Sequence, residues 1–99
     1  MIHTVKCNYK FFEALKDGTK TFEVRKKDRL YKVGDYLAVN EFIPDGQIDI
    51  YSVLPDNFRQ ANGGYYSGDC LLYRITYILD DPEFCKDGMV VLGLARCEI

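Results

Sequence analysis

The sequence predicts a mainly β domain of the α+β kind. It has five to six strands, one short helix after the first strand, and a sheet curled into a small β-barrel. Three observations predict this. Apolar and polar residues alternate in several short runs, the period of a half-buried strand. Only one segment, early in the chain, carries apolar residues at helical spacing. The runs recur at intervals that suit a small barrel, whose closure also hides the sheet edges.

In chain order, IHTVKC (2–7) is the first strand, with His3, Val5 and Cys7 alternating against Ile2, Thr4 and Lys6. Asn8 is a helix N-cap residue, and Gly18 closes the segment it opens. Phe11, Phe12 and Leu15 between them make 9–17 a short amphipathic helix. TKTFEVR (19–25) is the second strand. Its alternation puts Lys20, Phe22 and Val24 on one face and Thr21, Glu23 and Arg25 on the other. Phe22 and Val24 mark the first face as the core face, with the Lys20 ammonium escaping to the rim. Gly34-Asp35 is a turn signal, and Asp35 reads as a turn anchor. YLAVNEFI (36–43) is a third strand, with Leu37, Val39, Glu41 and Ile43 sharing a face. Residues 44–68 hold two prolines and four glycines and read as a long excursion, with a short strand at 48–53 and a turn at Gly63-Gly64. Strands at 69–79 and 88–98 complete the sheet. The whole chain, 1–99, is expected to be one domain.

Composition limits the function classes. The longest apolar runs fall far short of the ~20 residues of a membrane helix. MIHTVKCNYK has no signal-peptide core, so a cytoplasmic protein with no membrane partner is expected. Cys7, Cys70, Cys85 and Cys97 form no CxxC, and His3 is the single histidine. No zinc site, other metal or cofactor is expected, and buried reduced thiols are the reading for Cys7, Cys70 and Cys97. His3 reads as a satisfied strand histidine. The net charge of −2 argues against a general nucleic-acid coat. Residues 16–32, however, carry seven basic and three acidic side chains, a net of +4, which leaves −6 for the rest. A basic patch on an acidic body can attract phosphate locally. The same run can equally be a solvated face.

The pattern F-x-A-x-x-x-G-x-K-T-x-E-x-R-x-x-D-R-x-x-x-V-G-D-x-L runs from Phe12 to Leu37. It resembles the ASCH domain group of the PUA-like superfamily, and most closely a bacterial and phage family of small proteins labelled activating-signal-cointegrator-like. Y-R-I-T-Y-I-L (73–79) and G-M-V-V-L-G-L (88–94) fit that family's two C-terminal strands. The resemblance covers the chain outside 44–68. It implies a PUA-like β-barrel with a helix across one end, and a cleft beside the early strands that binds RNA or modified nucleobases. One branch of the group hydrolyses N4-acetylcytidine with a lysine, a threonine and a glutamate. Lys20 matches that lysine. Glu23 stands at the position of the threonine, so the nucleophile is missing. Thr21 matches a different threonine, and Glu41 is one candidate for the glutamate.

The candidate ligand-binding residues are therefore Lys20, Glu23, Arg25, Arg29, Tyr65, Tyr66 and Tyr73. Lys20, Thr21, Glu23 and Glu41 are the catalytic candidates. Lys20 at a barrel rim can hold a phosphate or polarise a carbonyl, or simply pair with Glu23 or Glu41. Glu23 and Arg25 can form a structural ion pair, or meet a base amine and a phosphate. Asp28 fits a self-pinned turn that leaves Arg29 free. Tyr65 and Tyr66, after two glycines, form a lip over a cleft or a bland loop cluster, while Tyr73 offers a further stacking surface. Phe11, Phe12, Phe22 and Phe42 read as core. Three functions compete. The first is a module that binds RNA or a nucleotide-like small molecule. The second is an amidohydrolase acting on an N4-acylated cytidine nucleoside, whose triad is incomplete. The third is a protein–protein adaptor that docks an unknown partner through 44–68. The first fits the residues best.

Overall fold

The computed structural model describes residues 1–47 and 58–97. Its described elements are β1 (Ile2–Asn8), α1 (Tyr9–Asp17), β2 (Phe22–Lys26), β3 (Tyr36–Pro44), β4 (Arg59–Ala61), β5 (Gly64–Leu79) and β6 (Met89–Arg96). The strand order is β1-β3-β5-β6-β2, with β4 pairing β5. β1 and β3 run parallel and every other pair is antiparallel. The described residues are mostly β, with six strands curled into a half-barrel and one short helix after the first strand. The curl brings the two ends of the strand order, β1 and β2, to face each other.

The first third follows its local signals. His3, Val5 and Cys7 of β1 are buried, and Ile2, Thr4 and Lys6 point out. Asn8 caps α1 by accepting from Lys10 N–H at 3.0 Å. Gly18 ends it at φ 85°, a left-handed conformation that glycine adopts without strain. Its N–H donates to Leu15 O. Phe12 and Leu15 bury the inner stripe of the helix, whereas Phe11, expected in the core, is 53% exposed. Two distant side chains satisfy the helix's last carbonyls: Tyr73 Oη donates to Leu15 O and Arg96 Nη1 to Lys16 O, both at 2.8 Å.

β2 overturns the expected core face. Phe22 and Val24 are 44% and 49% exposed, and Glu23 is 4% exposed. The cause is the β2–β6 register, which sets Glu23 opposite Leu92 and Arg25 opposite Val90. Val90, Leu92 and Leu94 form the inward face of β6, so their partners on β2 must also face inward. A single strand cannot announce which face its neighbour makes interior. The barrel interior consequently holds Val5, Leu15, Leu37, Val39, Ile75 and Leu92 together with a charged residue, Glu23.

β3 buries Leu37 and Val39 as expected, but its pairing with β5 slips between Asn40 and Phe42. The slip breaks the expected run through Glu41 and Ile43: Phe42 becomes buried, and Glu41 is half-buried. The second half of the supposed excursion is regular structure. β4 and the first residues of β5 form a hairpin whose turn contains Gly63 at φ 88°. Gly64 is a strand residue and not the second turn glycine. The strand expected at 48–53 lies outside the described residues. Cys70 is exposed and Cys97 half-buried; Cys7 alone of the three is buried as expected. Asp35 anchors its turn by accepting from Lys32 N–H at 3.1 Å, and it also pairs with the buried His3 ring at 2.8 Å.

At Gly64 the backbones of β3 and β5 approach closely. A Cβ there would lie 2.2 Å from Ile43 O and 2.9 Å from Pro44 Cα. Gly64→Ala is expected to lose ~1–3 kcal/mol, the usual cost of overpacking. Asn8→Ala should lose ~1 kcal/mol, the cost of an N-cap. Urea unfolding measures both. A Gly64→Ala midpoint equal to that of the parent chain would mean that β3 and β5 are not this close.

Candidate functional site

The facing edges of β1 and β2 leave an open crevice. Arg25 of β2 crosses it, and its Nη1 donates to Lys6 O of β1 at 2.9 Å. Beyond β2, Arg29 Nη1 reaches Thr4 O at 3.4 Å. These bonds give the unpaired carbonyls of an edge strand a partner without closing the backbone ladder. Arg25 divides the crevice into two chambers, and it and Lys6 line both.

One chamber, of about 410 Å³, is bounded by Cys7, Phe11, Lys20, Phe22, Glu23 and Arg25, among others. Lys20 follows the Gly18 turn and is held by a backbone bond from its N–H to Ala14 O, 2.9 Å long. Its Nζ donates to Glu23 Oε1 in a direct ion pair. The same ammonium lies 5.3 Å from the Phe11 ring centre and 5.1 Å from that of Phe22. The exposed aromatics thus flank the cation, and the ring faces attract it. Arg25 Nη1 stands 3.7 Å from Glu23 Oε2, a looser contact than that of Lys20. Lys20 is therefore the main counter-ion of Glu23. Burial of a carboxylate costs several kcal/mol and requires such partners.

Cys7 faces this cluster. Burial, chiefly, and the nearby Glu23 push its thiol up from 9.0 to about 11, with a smaller push from Glu41; Lys20 and Arg25 oppose the rise. Glu41 sits opposite Cys7 in the β1–β3 register. At neutral pH Cys7 is a protonated, apolar wall and not a nucleophile. The second chamber, of about 480 Å³, is lined by Thr4, Lys6, Arg25, Arg29, Asn40 and Tyr66, with Val5 at its floor. Among the described residues no cluster of three or more His, Cys, Asp or Glu is arranged to hold a metal ion.

A family model described as "Domain of unknown function (DUF3850)" matches residues 2–94. The chain belongs to this family. A curated relative, the "Uncharacterized 12.9 kDa protein in GpA 3'region" of Escherichia phage P2, is 45% identical over 90 residues, covering 91% of this chain. The chain spans 65% of that relative's length, just under two thirds. The DUF3850 match contains every residue that lines the two chambers.

The structure brings together Lys20, Glu23 and Arg25, sets Glu41 beside them through Cys7, and puts Arg29 and Tyr66 in the adjoining chamber. It does not bring in the others. Thr21 is exposed outside the strand, with its carbonyl accepting from Leu94 N–H. Tyr65 does not line either chamber. Tyr73 is 3% exposed and its hydroxyl caps α1, so it is a core residue and not a stacking surface. Sequence reasoning missed Lys6, Cys7 and Asn40, and it gave Phe11 and Phe22 to the core. The signal for Lys6 was its outward position on β1. The parallel β1–β3 pairing that sets Asn40 beside it has no local signature.

The raised Cys7 pKa has a consequence for stability. Between pH 9 and 11 an unfolded chain has lost the thiol proton that the folded chain keeps. The contribution is complete below pH 9 and is lost as pH rises towards 11. Urea midpoints across this interval should fall less steeply for Cys7→Ala than for the parent. Identical slopes would show that Cys7 titrates as an exposed thiol.

Proposed function

We propose that the crevice between β1 and β2 binds RNA or a nucleotide-like small molecule, and that the chain is a cytoplasmic PUA-like domain of the ASCH kind. The observation that carries the binding reading is the convergence of Lys20, Glu23 and Arg25 on an open chamber. A charged cluster held half out of water costs stability, and such clusters gather where a ligand is bound. Glu23 can accept from an exocyclic amine of cytosine or guanine. The rings of Phe11 and Phe22, half-exposed on the same chamber, can stack on a base. Arg25 and Arg29 can grip phosphate or a base edge. The motif from Phe12 to Leu37, and a half-barrel with its helix after the first strand, support the ASCH-like assignment. Short RNA and nucleosides should bind at low salt, and RNA binding should weaken as salt is raised. Lys20→Ala and Arg25→Ala, checked for folding by circular dichroism, should each lose most of this affinity. Failure of RNA, DNA and nucleosides alike to bind at low salt would end this reading.

One observation favours a second reading, hydrolysis of an N4-acylated cytidine. The Lys20 ammonium and the Glu23 carboxylate are in direct contact within a chamber open to solvent. Glu23 would take a proton from an attacking water while Lys20 polarises the acyl carbonyl. The exposed Thr21 has no part in it. On this reading N4-acetylcytidine is converted to cytidine and acetate by the parent chain and not by Lys20→Ala. Equal rates for the two in a chromatographic assay would remove it.

A further inference from the structure

The two chambers differ in that one has a carboxylate and two phenylalanine rings among its lining residues and the other has neither, which suits them to different parts of one ligand. The Glu23 chamber contains a carboxylate, a thiol and two phenylalanine rings beside the cations Lys6, Lys20 and Arg25, and Lys20 is paired with Glu23. The second chamber contains three cations, Lys6, Arg25 and Arg29, and no carboxylate among its lining residues. Lys6 has no carboxylate partner among the described residues; its Nζ rests 4.6 Å from the Phe42 ring centre. Among the described residues Arg29 meets Thr4 O in a long bond, the solvent-exposed Asp28 at 3.7 Å and the Tyr31 ring centre at 6.0 Å. Such contacts are weak in water, so both side chains can turn to a better acceptor. The Asn40 amide donates at 3.4 and 3.5 Å to Ala38 O and Val5 O, near the limit of a hydrogen bond. Arg25 stands at the divide. One of its nitrogens is fixed on Lys6 O, while its Nε is buried and has no hydrogen-bond partner among the described residues. A buried donor without a partner calls for an explanation.

We propose that the Lys6–Arg25–Arg29 chamber is a phosphate site, and that the phosphate it takes is esterified to the ligand whose ring occupies the Glu23 chamber. The proposal rests on the binding reading above and adds the chemical class: a nucleotide rather than a nucleoside. Cations whose carboxylate contacts are long or absent favour an anion, and guanidinium groups match the geometry of phosphate oxygens. The Tyr66 phenol and the Asn40 amide supply further donors along the same wall. Arg25, common to both chambers, couples the two halves of the ligand.

The test is calorimetric titration of cytidine, guanosine, their 5′-monophosphates and inorganic phosphate into the parent chain and into a Lys6→Gln/Arg29→Gln double variant. Both substituted residues are exposed on the surface, and the folding of the variant is to be checked by circular dichroism. The monophosphates should bind the parent roughly ten- to a hundredfold more tightly than the nucleosides, the scale of one or two charge-assisted hydrogen bonds. The double variant should lose that gain, binding each monophosphate no more tightly than the matching nucleoside. If nucleosides bind the parent but the monophosphates bind no better, or if the gain survives in the variant, the phosphate site is wrong and the binding reading stands. Inorganic phosphate binding as tightly as the monophosphates would show a separate anion site and overturn the coupling. If neither nucleosides nor monophosphates bind, both the proposal and the reading beneath it fall.

Discussion

The rest of the structure depends on the register between β2 and β6. Leu92 must face the barrel interior, and Glu23 lies opposite it. A shift of one residue would send Phe22 and Val24 inward and release Glu23 to water. That alternative would be the better hydrophobic solution for β2 alone. The observed register instead needs Lys20 and Arg25 to accompany the buried carboxylate. Lys20 is delivered by the Gly18 turn at the end of α1, so helix length, turn and strand register must agree to within a residue. The charged cluster thus fixes the relation of α1 to β2 more tightly than packing alone would.

The second constraint is the unclosed seam. β1 has β3 on one side, and across the other it meets side chains instead of a strand. Two guanidinium groups supply the hydrogen bonds that a seventh strand would give to Thr4 and Lys6. The edge is covered enough to resist pairing with another chain, yet the space between the strands stays accessible. A fully closed ladder would have left no crevice between β1 and β2. The two chambers are therefore a direct result of a sheet whose ends approach without bonding.

The local elements were legible in the sequence, and the reasons are local. Asn8 and Gly18 bracket α1 because a cap and a left-handed residue leave their mark in residue type. His3, Val5 and Cys7 show their burial by alternation. Lys20, Glu23 and Arg25 could be chosen as a group because they share one short motif. The faces of β2 could not be read, because the deciding partner, β6, lies more than sixty residues away. The face expected for Glu41 and Ile43 did not follow because an irregularity between Asn40 and Phe42 resets the alternation. Tyr73 looked like any strand tyrosine until Leu15 O claimed its hydroxyl. Lys6 joins the site only through the approach of two strands that share no backbone bond.

The position of β2 at the end of the strand order bears on how the site comes into being. β2 is followed in sequence by β3 but, among the described residues, pairs only with β6. No residue of β6 lines either chamber. A ribosome that has released everything up to Leu79 has therefore delivered every side chain of the crevice, but not the strand that holds β2 in place. Until β6 arrives, Glu23 remains in water and Lys20 has no cavity wall to stand in. The crevice is among the last features of the molecule to form, and its integrity reports on the completeness of the sheet.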